Sequence, residues 1–108
     1  MNAVQLSGIL TVSPLAIERR QGIRFVIKAR YPSEDESNRM GIAYIPCTVF
    51  DATKEQREIL LGKNFRNFVV ELSGRLVISI YENEKGESIY STEVVVNPHG
   101  LLIRQRRK

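Results

Sequence analysis

Apolar and polar residues alternate with a period of two through most of this chain, and glycines interrupt the alternation mid-run. Val4, Leu6, Gly8, Leu10 and Val12 alternate with more polar neighbours, the repeat of a strand with one buried face. A later run from Phe68 to Tyr81 places Leu72, Leu76, Ile78 and Ile80 at mostly even spacing, with Gly74 among them. Glycine inside a strand marks a bulge or a sharp bend. Strongly bent strands are what a small closed barrel requires.

The segments between these runs fill in the order. Ser13-Pro14 ends the first strand, Ile17 to Gln21 is a connector carrying Arg19 and Arg20, and Gly22 closes the turn. A second strand from Ile23 to Tyr31 points Phe25, Ile27 and Ala29 one way and Arg24, Val26, Lys28 and Arg30 the other. Pro32 stops it, and Ser33 to Arg39 is a polar loop with an acidic run, Glu34-Asp35-Glu36. The third strand, Gly41 to Phe50, sets Ile42, Tyr44, Thr48 and Phe50 on one parity and Ala43, Ile45, Cys47 and Val49 on the other. Pro46 cannot donate to a ladder, so the strand is bulged or at an edge there. Asp51 or Thr53 can cap a short helix over 53–61 that Gly62 ends. After the long fourth strand, Glu82 to Glu87 is a hairpin loop, Ser88 to Val96 a fifth strand that Asn97-Pro98 ends, and Leu101 to Ile103 an apolar coda. The class is all-β, and the order β-β-β-α-β-β suits a five-stranded OB-fold barrel with one short helix between strands 3 and 4. The reading is one domain, 1–103, with a basic tail, 104–108.

Composition excludes more than it assigns. The 108 residues include 16 Lys and Arg against 12 Asp and Glu, a net charge of +4. Residues 104–108 hold four of the positive charges, while residues 1–103 hold 12 of each sign, so the surplus describes the tail. No run approaches the ~20 apolar residues that span a bilayer. Met1 to Gln5 lacks a basic segment leading into an apolar one, so the expectation is a soluble cytoplasmic protein with no membrane partner. One cysteine, Cys47, excludes an internal disulfide framework and a Cys-rich zinc site, and one histidine, His99, excludes a multi-His metal site. There is no Ser-His-Asp grouping, P-loop or recognisable carboxylate pair, so neither enzymatic activity nor a cofactor is expected.

A binding face is the remaining candidate. Single strands are held by cations that follow phosphates and by aromatic faces that stack bases. The second strand supplies Arg24, Lys28 and Arg30, the third Tyr44 and Phe50, the fourth Arg75 and Tyr81, and the hairpin loop Lys85. On an OB barrel these can converge on one face; otherwise they are a solvated outer surface with scattered aromatics. Phe50 either stacks a base or packs under the helix. Phe25, Phe65 and Phe68 read as core, Cys47 as a small buried hydrophobe, and Tyr90 as a structural cross-hairpin partner. The tail either adds phosphate contacts or is a frayed end, and Arg19 and Arg20 are open in the same way.

Three stretches carry a family resemblance. Val70-Glu71-Leu72-Ser73-Gly74-Arg75-Leu76, Tyr81-Glu82-Asn83-Glu84-Lys85-Gly86-Glu87 and Tyr90-Ser91-Thr92-Glu93-Val94-Val95-Val96 resemble the bacterial single-stranded DNA-binding proteins (SSB), in which an EGxL strand leads to an aromatic, a D/E-x-x-G hairpin and YxTEVVV. The opening Val4-Gln5-Leu6-Ser7-Gly8-Ile9-Leu10 resembles that family's first strand. The resemblance implies stacking on Tyr44, Phe50 and Tyr81, sequence-nonspecific binding of single-stranded DNA in replication, repair or recombination, and assembly as a homodimer or homotetramer. The chain departs from the family in its acidic loop at 32–41, its lack of Trp, and its basic end where the family carries an acidic tip that recruits replication proteins. The short domain and the opening Leu6-Ser7-Gly8 followed by Pro14-Leu15 also resemble the primosomal protein PriB. An accessory role in replication restart, with replication proteins as partners, is therefore the alternative, and RNA is a further ligand class open to an OB-fold.

Overall fold

The strands are β1 (Val4–Leu10), β2 (Leu15–Ile17), β3 (Gly22–Pro32), β4 (Met40–Val49), β5 (Phe68–Glu82) and β6 (Ser88–Gln105), and all but β2 come from the alternating runs. One helix, α1 (Lys54–Leu60), joins β4 to β5, and single 3-10 turns cover Arg19–Gln21 and Phe65–Asn67. The computed structural model describes residues 1–32 and 40–106; the acidic run at 34–36 lies outside them. The sheet order is β1-β5-β6-β4-β3-β2, and a further pairing of β1 with β3 closes β1, β5, β6, β4 and β3 into a ring. This five-stranded barrel, with its helix between the third and fourth ring strands in chain order, is the expected OB-fold architecture.

Closure depends on one strand pairing on both sides. Val4 to Ile9 pair with β5, from Val4 opposite Gly74 to Ile9 opposite Val69. Ile9 and Leu10 then pair with Lys28 and Ile27 of β3. Gly8 sits where the strand turns between these partners, and a Cβ there would press into the Lys28 carbonyl oxygen. Gly74 plays the matching part on β5, where a Cβ would meet the Val95 carbonyl oxygen.

The inner faces form the core: Leu10, Ile23, Phe25, Ile27, Cys47, Val49, Val70, Leu72, Val94, Val96 and Leu101 are buried, with Leu60 of α1 and Phe65 of the following turn packed among them. Phe25 and Phe65 thus stand where the sequence placed them, while Phe68 is only half-buried. Burial pushes the Cys47 thiol up to about 12, so it stays protonated at neutral pH and acts as a small apolar filler.

Two short features differ from the sequence expectation. Asn97-Pro98 does not end the last strand. Gly74 pairs with Val96 and Leu72 with Leu101, so Ser73 alone on β5 faces Asn97 to Gly100 on β6. Proline has no N–H to donate and is tolerated in such an unladdered bulge. The helix fills the gap. Thr53 and Gln56 form a capping box, and the Gln56 side-chain amide also donates to the Pro98 and Leu101 carbonyls at 3.0 and 3.1 Å. Beyond the bulge Leu101 returns to the core, and the strand continues through Arg104 and Gln105, the start of the basic segment. The second difference is β2, a three-residue strand beside the start of β3 that begins two residues before the connector read from Ile17.

Gly8→Ala places a methyl against backbone that cannot retreat without opening the β1–β3 seam. A loss of about 1–3 kcal/mol is expected, read as a lower denaturant midpoint in equilibrium unfolding.

Candidate functional site

The outer face of β3 and β4 holds the centre of the candidate site. Arg24, Val26, Lys28 and Arg30 point outward from β3, as their parity requires, because Phe25 and Ile27 are buried. Antiparallel pairing sets Lys28 directly opposite Tyr44, Arg30 opposite Ile42, and Arg24 opposite Thr48. Directly opposed residues share a face with their Cβ atoms about 4.5–5.5 Å apart. Tyr44 is 60% exposed, so an open aromatic ring stands beside a half-buried lysine. Tyr44 also forms the rim of an apolar cleft of about 420 Å³ where β4 diverges from β6, lined by Leu6, Leu76, Thr92 and Val94.

A second lobe lies on the outer face of β5 and β6. Arg75, Val77 and Ser79 line an open groove of about 790 Å³ together with Phe50, Arg19 and Arg20. Tyr81 shares the parity of Arg75 and continues this face outward along the β5–β6 arm, 53% exposed. Lys85 lies at the arm's tip, where its backbone N–H donates to Asn83 Oδ1. The eight residues expected from sequence therefore divide. Arg24, Lys28, Arg30 and Tyr44 occupy the β3–β4 lobe, Phe50 and Arg75 the groove, and Tyr81 and Lys85 the arm beyond it.

Sequence reasoning left Arg19 and Arg20 open, and the structure places them in the groove. Their guanidinium carbons lie 5.7 and 5.0 Å from the centre of the half-buried Phe50 ring, within cation–π range. The Arg20 guanidinium also pairs with Asp51 at 2.7 Å, and the Asp51 N–H donates to the Arg20 carbonyl at 2.9 Å. Arg20, Gln21 and Asp51 all take left-handed φ, at 52°, 48° and 54°. Strained backbone of this kind persists only where surrounding contacts hold it, and here it presents two cations beside an aromatic ring.

Glu93 is the residue that pattern reading passed over. It lines the Tyr44 cleft, the Arg75 groove and a shallower pocket beside Arg24, so it stands where the lobes meet. The buried Thr48 hydroxyl donates to its carboxylate at 2.7 Å. Its outward parity was readable from Val94 and Val96; the convergence of three grooves on it depends on the parallel β4–β6 pairing. Among the described residues, no group of His, Cys, Asp or Glu could hold a metal, and no helix is long and apolar enough to cross a membrane.

Comparison with known proteins places the fold. No protein-family model and no curated protein sequence matches the chain. Solved structures do. An SSB from Plasmodium falciparum in complex with single-stranded DNA superposes with a TM-score of 0.73 at 12% identity, covering 99% of this chain and 96% of that one. The mitochondrial single-stranded DNA binding protein of S. cerevisiae superposes at 0.67 with 11% identity, covering 97% and 96%. The barrel is therefore shared along nearly the whole length of each protein.

Asp51→Asn tests the strained corner. Asparagine tolerates left-handed φ, and both side chains of the Arg20–Asp51 pair are 59% exposed, a setting worth about 0–1 kcal/mol. The variant is expected to unfold within about 1 kcal/mol of the parent, whereas Asp51→Val, β-branched at positive φ, is expected to lose about 1–3 kcal/mol by the same denaturation measurement.

Proposed function

We propose that this chain binds single-stranded DNA without sequence preference, by base stacking and phosphate contact, in DNA replication, repair or recombination. The observation that carries the reading is the Lys28–Tyr44 pair. It sets an exposed ring directly beside a cation on the outer face of an OB barrel, with Arg30 and Arg24 along the same strand. A base can stack on Tyr44 while its phosphate meets Lys28. The fold shared with two proteins named for binding single strands supports the reading. The second lobe, with Arg75 and Tyr81 and the Arg19–Arg20–Phe50 unit, lets one strand pass around Glu93 from β4 to the arm. We assign the chain no catalytic activity.

Self-association into a dimer or tetramer belongs to the same proposal. Leu76, Ile78, Ile80 and Tyr90 lie exposed on the arm's other face, apolar surface of the kind that association covers. The same strip favours, as a second reading, a primosomal accessory role in which the arm meets a replication protein.

Titration of labelled oligo-dT by fluorescence anisotropy, at several salt concentrations and with light scattering on the same samples, tests the proposal. Affinity is expected to fall with a log–log slope of about 0.7 per phosphate contacted. Tyr44→Ala combined with Tyr81→Ala is expected to weaken binding by about tenfold or more at every salt concentration, since each stacked base contributes roughly 1–3 kcal/mol. If the double variant binds as the parent does, the stacking model is wrong. Tighter binding of a matched oligo-U would make RNA the ligand.

A further inference from the structure

The basic segment at the end of the sequence is continuous with the β3–β4 face by strand register. Tyr44 lies opposite Lys28, Lys28 opposite Ile9, Ile9 opposite Val69, and Val69 opposite Arg104. Directly paired residues share a face, so these five side chains form one row over the outside of all five ring strands. The row contains no acidic residue. It carries an exposed aromatic and a lysine at one end, two half-buried aliphatic side chains in the middle, and an exposed arginine at the other. At about 4.8 Å per strand its four steps span roughly 19 Å.

The described part of the basic segment, residues 104–106, is built onto the ladder; Arg107 and Lys108 lie outside the described residues. The Arg106 N–H donates to the Asn67 carbonyl at 2.6 Å, extending the β5–β6 pairing one residue past the strand. Arg106 is exposed like Arg104 and follows it by two residues, the spacing that shares a face where the extended pairing continues. Glu71 pairs with Arg104, but the two side chains are 42% and 64% exposed, and an exposed pair of this kind contributes only about 0–1 kcal/mol. A phosphate can share that guanidinium at small cost.

We propose that Arg104 and Arg106 form a second phosphate subsite for single-stranded DNA. A strand stacked on Tyr44 and held by Lys28 would reach it by crossing β1 and β5 over Ile9 and Val69. The proposal rests on the single-strand reading above and adds a direction for the path: away from the arm and around the closed side of the barrel.

Two lengths of oligo-dT separate this path from a general attraction to positive charge. Lengths of about 5 and about 16 nucleotides lie near the two ends of the site-size range for one OB fold. Arg104→Gln combined with Arg106→Gln is expected to weaken the long strand about three- to tenfold and to lower its log–log salt slope by about 1.4, the loss of two phosphates. Binding of the short strand stays at the parent level. Glu71→Gln releases Arg104 and is expected to tighten the long strand about two- to threefold, a gain that damage to the fold would not produce. Equal losses on both lengths, or no change on the long strand in either variant, overturn the subsite. Tyr44→Ala run in parallel is expected to weaken both lengths; if it weakens neither, the stacking face itself is wrong, whatever the arginines do.

Discussion

Closure of the sheet at β1 is the constraint on which everything else in this structure depends. One strand must hydrogen-bond β5 on one side and β3 on the other, and it does so at Ile9, the residue paired with both Val69 and Lys28. Gly8 permits the turn because its missing Cβ is the space that the Lys28 carbonyl occupies. Closure fixes which parity of every strand faces inward. It turns the alternation in β3 into a buried Phe25–Ile27 face and an outward Arg24–Lys28–Arg30 face. Lys28, which closes the barrel against Ile9, stands on its other side opposite Tyr44 through the β3–β4 register. Stability and the proposed binding surface therefore share Lys28 at this seam.

Charge follows from the same geometry. Residues 1–103 carry 12 cationic and 12 acidic side chains, so binding cannot rest on a generally positive barrel. It rests on segregation. The outward row from Tyr44 to Arg104 contains no acidic residue of its own, with Glu71 paired to Arg104 beside it, whereas Glu93 stands at the meeting point of three grooves with Thr48 fixing its orientation. On the proposed path a polyanion would be attracted along the row and kept off Glu93, so local placement of charge would act where the net charge of +4 says little.

Much of this was legible in the sequence, because period two is a direct statement about faces. The outward set on β3, the inward Cys47 and a cross-hairpin partner for Tyr90 on the long fourth strand follow from counting, while the cap lay between Asp51 and Thr53 until the structure placed it on Thr53. The bulge at Asn97 to Gly100 was not legible. Proline ends most strands, and only the pairing of Leu101 with Leu72 shows that this strand resumes. The role of Gln56 in filling that bulge depends on a partner more than forty residues away. The division of the site into lobes was equally hidden. Phe50 and Tyr44 share a parity, yet the strand ends between them at Val49, and Asp51 turns the chain through left-handed backbone toward Arg20. Register, which local pattern does not encode, joins the basic segment to Lys28.

The central claim is that the outer β3–β4 face receives a single strand of DNA. Titration of isotope-labelled protein with oligo-dT, followed by amide and side-chain chemical shifts, tests it residue by residue. The account predicts saturable shifts at Lys28, Arg30 and the Tyr44 ring, with the buried Ile27 and Val49 little changed. Shifts confined to α1 or to the apolar side of the arm, with Lys28 and Tyr44 unmoved at saturation, would contradict it.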